Sequence, residues 1–169
     1  HAASAFYPSP FEEAAILTID GVGEWANMTI AHGSGNKIKI LKEQQFPHSL
    51  GLFYSAVTYY LGFEVNSGEY KVMGLAAYGD GNAEETKNFE NKILEEIIDI
   101  REDGSFLLNM KYFRFATHLT MTNDKKWSEF FGIIRRRKED KLEQEHANFA
   151  FAAQKVLEKI VLKLSETAL

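Results

Sequence analysis

Cysteine is absent from the 169 residues of this chain. A disulfide framework and a thiolate metal site are therefore excluded, so any metal must rest on His, Asp, Glu or water. A reducing, cytoplasmic location fits. Long apolar runs are missing too: none reaches the ~18 residues of a membrane span, and no signal-peptide pattern opens the chain. No membrane partner is expected. Nor is there an excess of positive charge, because 19 Lys and Arg against 24 Asp and Glu leave a formal net charge of −5. That excludes the electrostatic footprint of a nucleic-acid binder. Proline occurs only 3 times, at Pro8, Pro10 and Pro47, so each marks a break. What remains is 45% hydrophobic and 13% aromatic, enough for one domain with a real core.

The pattern predicts a mixed α/β fold. Residues 13–20, 25–32 and 37–45 are rich in β-branched and apolar side chains and are separated by Asp-Gly-Val-Gly-Glu and Gly-Ser-Gly-Asn. This predicts a three-stranded antiparallel meander. After Pro47, Leu50, Phe53, Tyr54, Val57, Tyr60 and Leu61 share a helical face, with Ser49 a candidate N-terminal cap. A short, small-residue helix suited to close packing is expected over 70–78. An amphipathic helix over 84–98 follows, carried by Phe89, Ile93, Leu94 and Ile97, then a hairpin about Asp103-Gly104. Residues 111–137 are aromatic but aperiodic, and Arg135-Arg136-Arg137-Lys138 runs straight into Glu139-Asp140, which reads as a solvated, mixed-sign loop. From Lys141 onward Leu142, Phe149, Ala152, Ala153, Val156, Leu157, Ile160 and Leu164 mark one long helix. The chain thus divides into 1–46 (meander), 47–81 (helices), 82–138 (helix, hairpin and loop) and 139–169 (long helix). Both ends fall inside helical patterns, as in a central fragment truncated at each side.

The chemistry concentrates at Ala14 to Glu24, where an apolar strand ends in Asp20-Gly21-Val22-Gly23-Glu24. An acid at a strand end, followed by glycines whose N–H groups face outward, suits a metal-bound phosphate or similar anion. A tight β-turn uses the same residues with no ligand at all.

Three stretches are more specific. HAASAFYPSPFEEAAILTIDGVGEW, FPHSLGLFYSAVTYYLGFEVNSGEYKVMGLAAYG and HANFAFAAQKVLEKIV resemble, in order, successive blocks of the O-carbamoyltransferases of the nodulation and antibiotic-tailoring type. The resemblance implies part of an actin-like ATPase (ribonuclease H-like) fold. It implies an enzyme that makes carbamoyl-adenylate from carbamoyl phosphate and ATP, then passes the carbamoyl group to a hydroxyl of a sugar or natural product. The family's metal motif, two histidines four positions apart and an aspartate in the following Asp-Gly turn, places His1 as the second histidine and Asp20 as the aspartate. A divalent iron or zinc ion is the implied metal, acting as a Lewis acid, with Asp20 at the catalytic centre. Gly21, Gly23 and Glu24 then face phosphate or carbamoyl oxygens. Asn66, Ser67, Gly68, Glu69 and Lys71 fall where such families place a segment near the nucleotide ribose and phosphate. Against this stand a disordered terminal histidine and, for Glu69, an acid that merely stabilises a helix dipole.

Two positions depart from the family, with Ala77 where proline is common and Asn148 where aspartate is common. His32, His48, His118 and His146 are expected to be structural or exposed, and Trp25 and Trp127 to be core. A sugar kinase or other actin-fold phosphotransferase, and a non-catalytic binding module, compete with the transferase reading. The isolated piece is expected to be inactive and open to self-association through edges normally covered.

Overall fold

A Pro-Ser-Pro stop at residues 8–10 allows only a short opening helix, α1 (Ala2–Phe6). The computed structural model describes every residue from His1 to Leu169, and in it this helix lies on the sheet that follows. Strands β1 (Glu13–Ile19), β2 (Ala26–Ser34) and β3 (Lys37–Gln45) form the expected antiparallel meander in the order β1-β2-β3. The register pairs Ile16 with Ala31 and Ile19 with Met28. Alternation sends Ala31 to one face, where it packs with Phe6 of α1 and Ile16. The other face carries Met28 and Ile30 into the main core. Two irregularities interrupt the ladder to β3: between Ala26 and Met28 the register shifts, leaving Asn27 as the extra residue of a bulge, and between Ile30 and Ala31 it shifts again, with Leu41 extra on β3.

Helix α2 (Leu50–Tyr60) starts at Ser49, whose Oγ accepts the Leu52 N–H at 3.1 Å as the sequence suggests. Next come α3 (Glu69–Ala76) and α4 (Glu84–Lys92). α3 lays Val72 and Ala76 inward and packs on the last helix, α6 (Gln144–Ala168). The amphipathic segment predicted to run unbroken to residue 98 stops being α-helical at Lys92. Ile93–Ile97 form a single π-helical turn that buries Ile93 and Ile97 and hands the chain to β4 (Ile98–Ile100). β4 pairs with β5 (Phe106–Leu108) about the Asp103-Gly104 turn.

The stretch read as an aperiodic loop contains α5 (Asp124–Phe131), capped by the Asn123 side chain. Its Trp127 and Phe131 join Tyr60, Phe89 and Phe149 in an aromatic centre with ring separations of 4.9 Å (Tyr60–Trp127) and 5.4 Å (Phe89–Phe149). Edge-on and tilted geometries of this kind favour a specific packing over a merely greasy one. The basic run beyond it is not solvated throughout. Arg136 is buried, donating from Nε to Leu61 O at 2.6 Å and from Nη2 to Gly62 O at 3.4 Å. The long helix begins at Gln144, three residues later than the pattern suggested, because Glu143 and His146 form a capping box there. No helix is long and apolar enough to cross a membrane.

Candidate functional site

Docking of Phe6 on the sheet carries the start of α1 over the end of β1. His1 Nδ1 lies 3.1 Å from Asp20 Oδ2, with the two side chains 72% and 37% exposed. Asp20 still belongs to the ladder through its N–H, which donates to Asn27 O at 2.8 Å. Its other oxygen, Oδ1, accepts the Gly21 N–H at 2.7 Å. The carboxylate is therefore oriented by one backbone donor and turned towards one imidazole.

The same contact removes a donor from the expected set: the Gly21 N–H is spent on Asp20 and is not free for a ligand oxygen. The N–H groups of Gly23 and Glu24 have no partner within the protein. Gly23 holds φ 62°, and a Cβ there would run into the Ala26 carbonyl, so only glycine serves. Glu24 is exposed, and Trp25, expected in the core, is 80% exposed at the rim of this turn. Asn27 is the opposite case. Its amide is 1% exposed, yet neither Oδ1 nor Nδ2 has a hydrogen-bond partner.

Two residues that the sequence reading left out of the site hold the turn. Ser49, fully buried, donates its hydroxyl to Asp20 O at 3.2 Å and also meets Gly21 O. Gly51 lies so close that a Cβ would sit 2.7 Å from Gly21 Cα and 2.8 Å from Asp20 O. The start of α2 is thus locked onto the acidic turn. A serine before an apolar helical face signals a cap, but nothing local reveals that the same hydroxyl also reaches back 29 residues.

The second predicted segment meets α2 one turn further on. Glu69 Oε1 accepts from Ser55 Oγ at 2.9 Å and from the Asn66 N–H at 3.0 Å, while Asn66 takes a left-handed φ of 70°. Oε2 makes no hydrogen bond within the protein. Glu69 also heads the first turn of α3, so it serves the helix end as well. Gly68 precedes it as the N-cap, and Lys71 is exposed with its Nζ 5.9 Å from the Tyr70 ring centre. Tyr54, on the same stretch of α2, donates to Gln154 Oε1 at 2.7 Å. Burial, with the Glu158 and Glu69 carboxylates behind it, pushes its phenol pKa up. Gln154 lines a cavity of about 340 Å³ between α3 and α6, walled also by Met73, Ala77, Phe151 and Glu158.

The remaining histidines are accounted for structurally. His48 Nδ1 accepts the Leu108 N–H at 3.1 Å, His146 Nδ1 accepts the Glu143 N–H at 3.0 Å, His32 pairs with Glu13 at 2.8 Å, and His118 meets the Thr117 hydroxyl at 2.7 Å. Asn148 explains its own departure: Oδ1 accepts from the Asp80 N–H and Gln144, and Nδ2 donates to Glu85 Oε2 at 2.7 Å. An aspartate there would set two carboxylates against each other.

No group of three or more His, Asp or Glu side chains converges to hold a metal. His1 and Asp20 supply one nitrogen and one oxygen 3.1 Å apart. Donors at neighbouring positions of an ion with bonds of about 2.1 Å lie about 3.0–3.4 Å from each other. The pair fits two adjacent positions of such an ion, and Asn27, whose carbonyl receives the Asp20 N–H, has a buried amide without a partner.

Comparison with known proteins adds the following. The family model described as carbamoyltransferase N-terminus matches residues 1–169. The uncharacterised protein sll1178 of Synechocystis sp. is 53% identical over 167 residues, covering 99% of this chain and 26% of that protein. Nodulation protein NolNO of Sinorhizobium fredii is 35% identical over 161 residues, 95% of this chain and 21% of its own length. Nodulation protein NolO of Bradyrhizobium diazoefficiens is 32% identical over 161 residues, 95% of this chain and 26% of its own length. The chain thus spans about a quarter of the relatives it matches.

Proposed function

Because this chain belongs to the carbamoyltransferase N-terminal family, we propose that it forms part of an enzyme that moves a carbamoyl group onto an acceptor hydroxyl. The donor is carbamoyl phosphate, activated with ATP as carbamoyl-adenylate, and the acceptor is a sugar or natural-product alcohol. The meander followed at once by α2 supports an actin-like ATPase lobe as the scaffold. The observation that carries the reading is the 3.1 Å approach of His1 to Asp20 at the end of β1.

In this scheme His1 Nδ1 and Asp20 Oδ2 hold a divalent iron or zinc ion. When bound, the ion supplies Lewis acidity for a carbonyl or phosphate oxygen. The chain's own part is positional. Asp20 is kept in one orientation by the Gly21 N–H, the unpartnered N–H groups of Gly23 and Glu24 donate to ligand oxygens, and the free Oε2 of Glu69 accepts from ribose hydroxyls, with Lys71 near the phosphates.

The test is Asp20→Asn in the full-length protein, supplied with carbamoyl phosphate, ATP and a panel of hydroxyl acceptors. Transfer falls at least a hundredfold, by loss of an electrostatic contact in the transition state, while adenylate formation from carbamoyl phosphate continues. Undiminished transfer by Asp20→Asn refutes the assignment.

A further inference from the structure

We propose that Ser49 and Gly51, at the start of α2, are positioning residues for Asp20, and that they set how tightly the His1–Asp20 pair holds a divalent cation. The inference rests on the reading of that pair given above.

The argument begins with what constrains the carboxylate. Asp20 sits in a turn whose side chains are exposed on the His1 side, so solvent does nothing to hold it. Its backbone, however, is gripped from the opposite side. Ser49 is 0% exposed, and its single hydroxyl proton is directed at the carbonyls of Asp20 and Gly21 while its lone pair receives the Leu52 N–H. One side chain thus caps the helix and clamps the turn. Gly51 adds a steric condition: α2 approaches so closely that no side chain fits between Gly51 and Gly21. Removing the hydroxyl frees the turn, and adding a methyl pushes it away. Both displace the Asp20 carboxylate, whose Oδ1 the Gly21 N–H holds.

A cap serine alone would be a structural matter, and the two variants separate the alternatives. Alanine is a better helix former than glycine, so Gly51→Ala strengthens α2 as a helix while wedging it off the turn. If these residues served only α2, Gly51→Ala would leave the cation site intact.

The experiment uses the full-length protein and cobalt(II) alone as the probe, read by its visible absorption in competition with a chelator. Asp20→Asn sets the scale by losing most of the cobalt affinity. Ser49→Ala and Gly51→Ala each lose ten- to a hundredfold, the range found when groups behind a metal ligand are removed. Amide exchange over residues 50–60 shows that Gly51→Ala retains α2, so the inference can fail even if Ser49→Ala misfolds. If Asp20→Asn weakens cobalt binding while Gly51→Ala and a folded Ser49→Ala bind as wild type, positioning by α2 is overturned and the cation site survives. If Asp20→Asn binds cobalt normally, the cation reading itself falls and this inference with it.

Discussion

Arg136 is the residue whose loss this fold should feel most among its charged side chains. It is 6% exposed, and its guanidinium has no carboxylate partner. Its acceptors are four backbone carbonyls: Leu61 at 2.6 Å, Gly62 at 3.4 Å, Lys138 at 3.2 Å, and Asp140. The ring of Phe63 lies 5.1 Å from its central carbon. One side chain therefore ties the end of α2 to the loop that precedes α6, alongside the Arg136 N–H bond to Tyr60 O and the Tyr60 hydroxyl bond to Ile133 O. Arg136→Met keeps length and apolar contact but strands several carbonyls at about 1 kcal/mol or more each, partly offset because a buried charge no longer needs solvating. The net loss is about 2–4 kcal/mol, or roughly 5–15 °C in Tm for a domain of this size. Arg136→Lys recovers only part, since an ammonium does not reproduce the planar fork. The partners are dipoles and not ions, so the gap between wild type and Arg136→Met should survive in high salt. Thermal unfolding at low and high salt, with amide exchange followed over residues 132–146, measures both. A melting temperature within about 2 °C of wild type, or a gap that closes with salt, refutes the clamp.

Two further perturbations read separate parts of the structure. Burial lowers the His48 pKa from 6.5, and its Nδ1 accepts the Leu108 N–H. Below pH 6.5 the unfolded chain binds this proton more readily than the folded one. The stability from neutral His48 is complete above that pH and is lost as pH falls towards the depressed folded pKa. Denaturant midpoints between pH 8 and 5 should show this decline in wild type and less of it in His48→Asn, which keeps an acceptor but does not titrate; equal slopes would rule it out. Asn27→Leu replaces a buried amide that has no partner, and should stabilise the protein by about 1 kcal/mol. A fall in chemical stability would mean that a water or ligand satisfies the amide in solution.

The elements that the sequence revealed are those with local punctuation. Asp20-Gly21 and Gly33-Ser34-Gly35-Asn36 bracket the strands of the meander, Ser49 caps α2, and Asp103-Gly104 turns the hairpin. α5 was hidden because two turns give too few repeats for a period to emerge among so many aromatics. Its signals were the Asn123 cap, the Trp127 and Phe131 pair four apart, and Gly132 closing it. Trp25 misled because a large aromatic is core by default, whereas this one stands just outside β2 at the rim of the acidic turn. Arg136 was out of reach of any local rule, since the carbonyls at Leu61 and Gly62 lie 75 and 74 residues away in the chain. At the site, the residue types were legible, and the His1–Asp20 pairing was legible only through the family motif. That Asp20 meets His1 depends on how α1 docks, and that Gly21 spends its N–H on Asp20 depends on a side-chain torsion.

The two candidate segments are related by the geometry of α2. Gly51 abuts the Asp20-Gly21 turn and Ser55 donates to Glu69, and residues four apart lie on one face of a helix, about 6 Å along its axis. A rigid turn of helix therefore links the acid that faces His1 to an acid with one oxygen unspent. Since Ser49 and Gly51 lock one end of this arrangement and Ser55 and Asn66 the other, binding at either acid meets a frame already ordered. The proposed ligand roles of Asp20 and Glu69 thus share one helical support, so a change in α2 is expected to disturb both together.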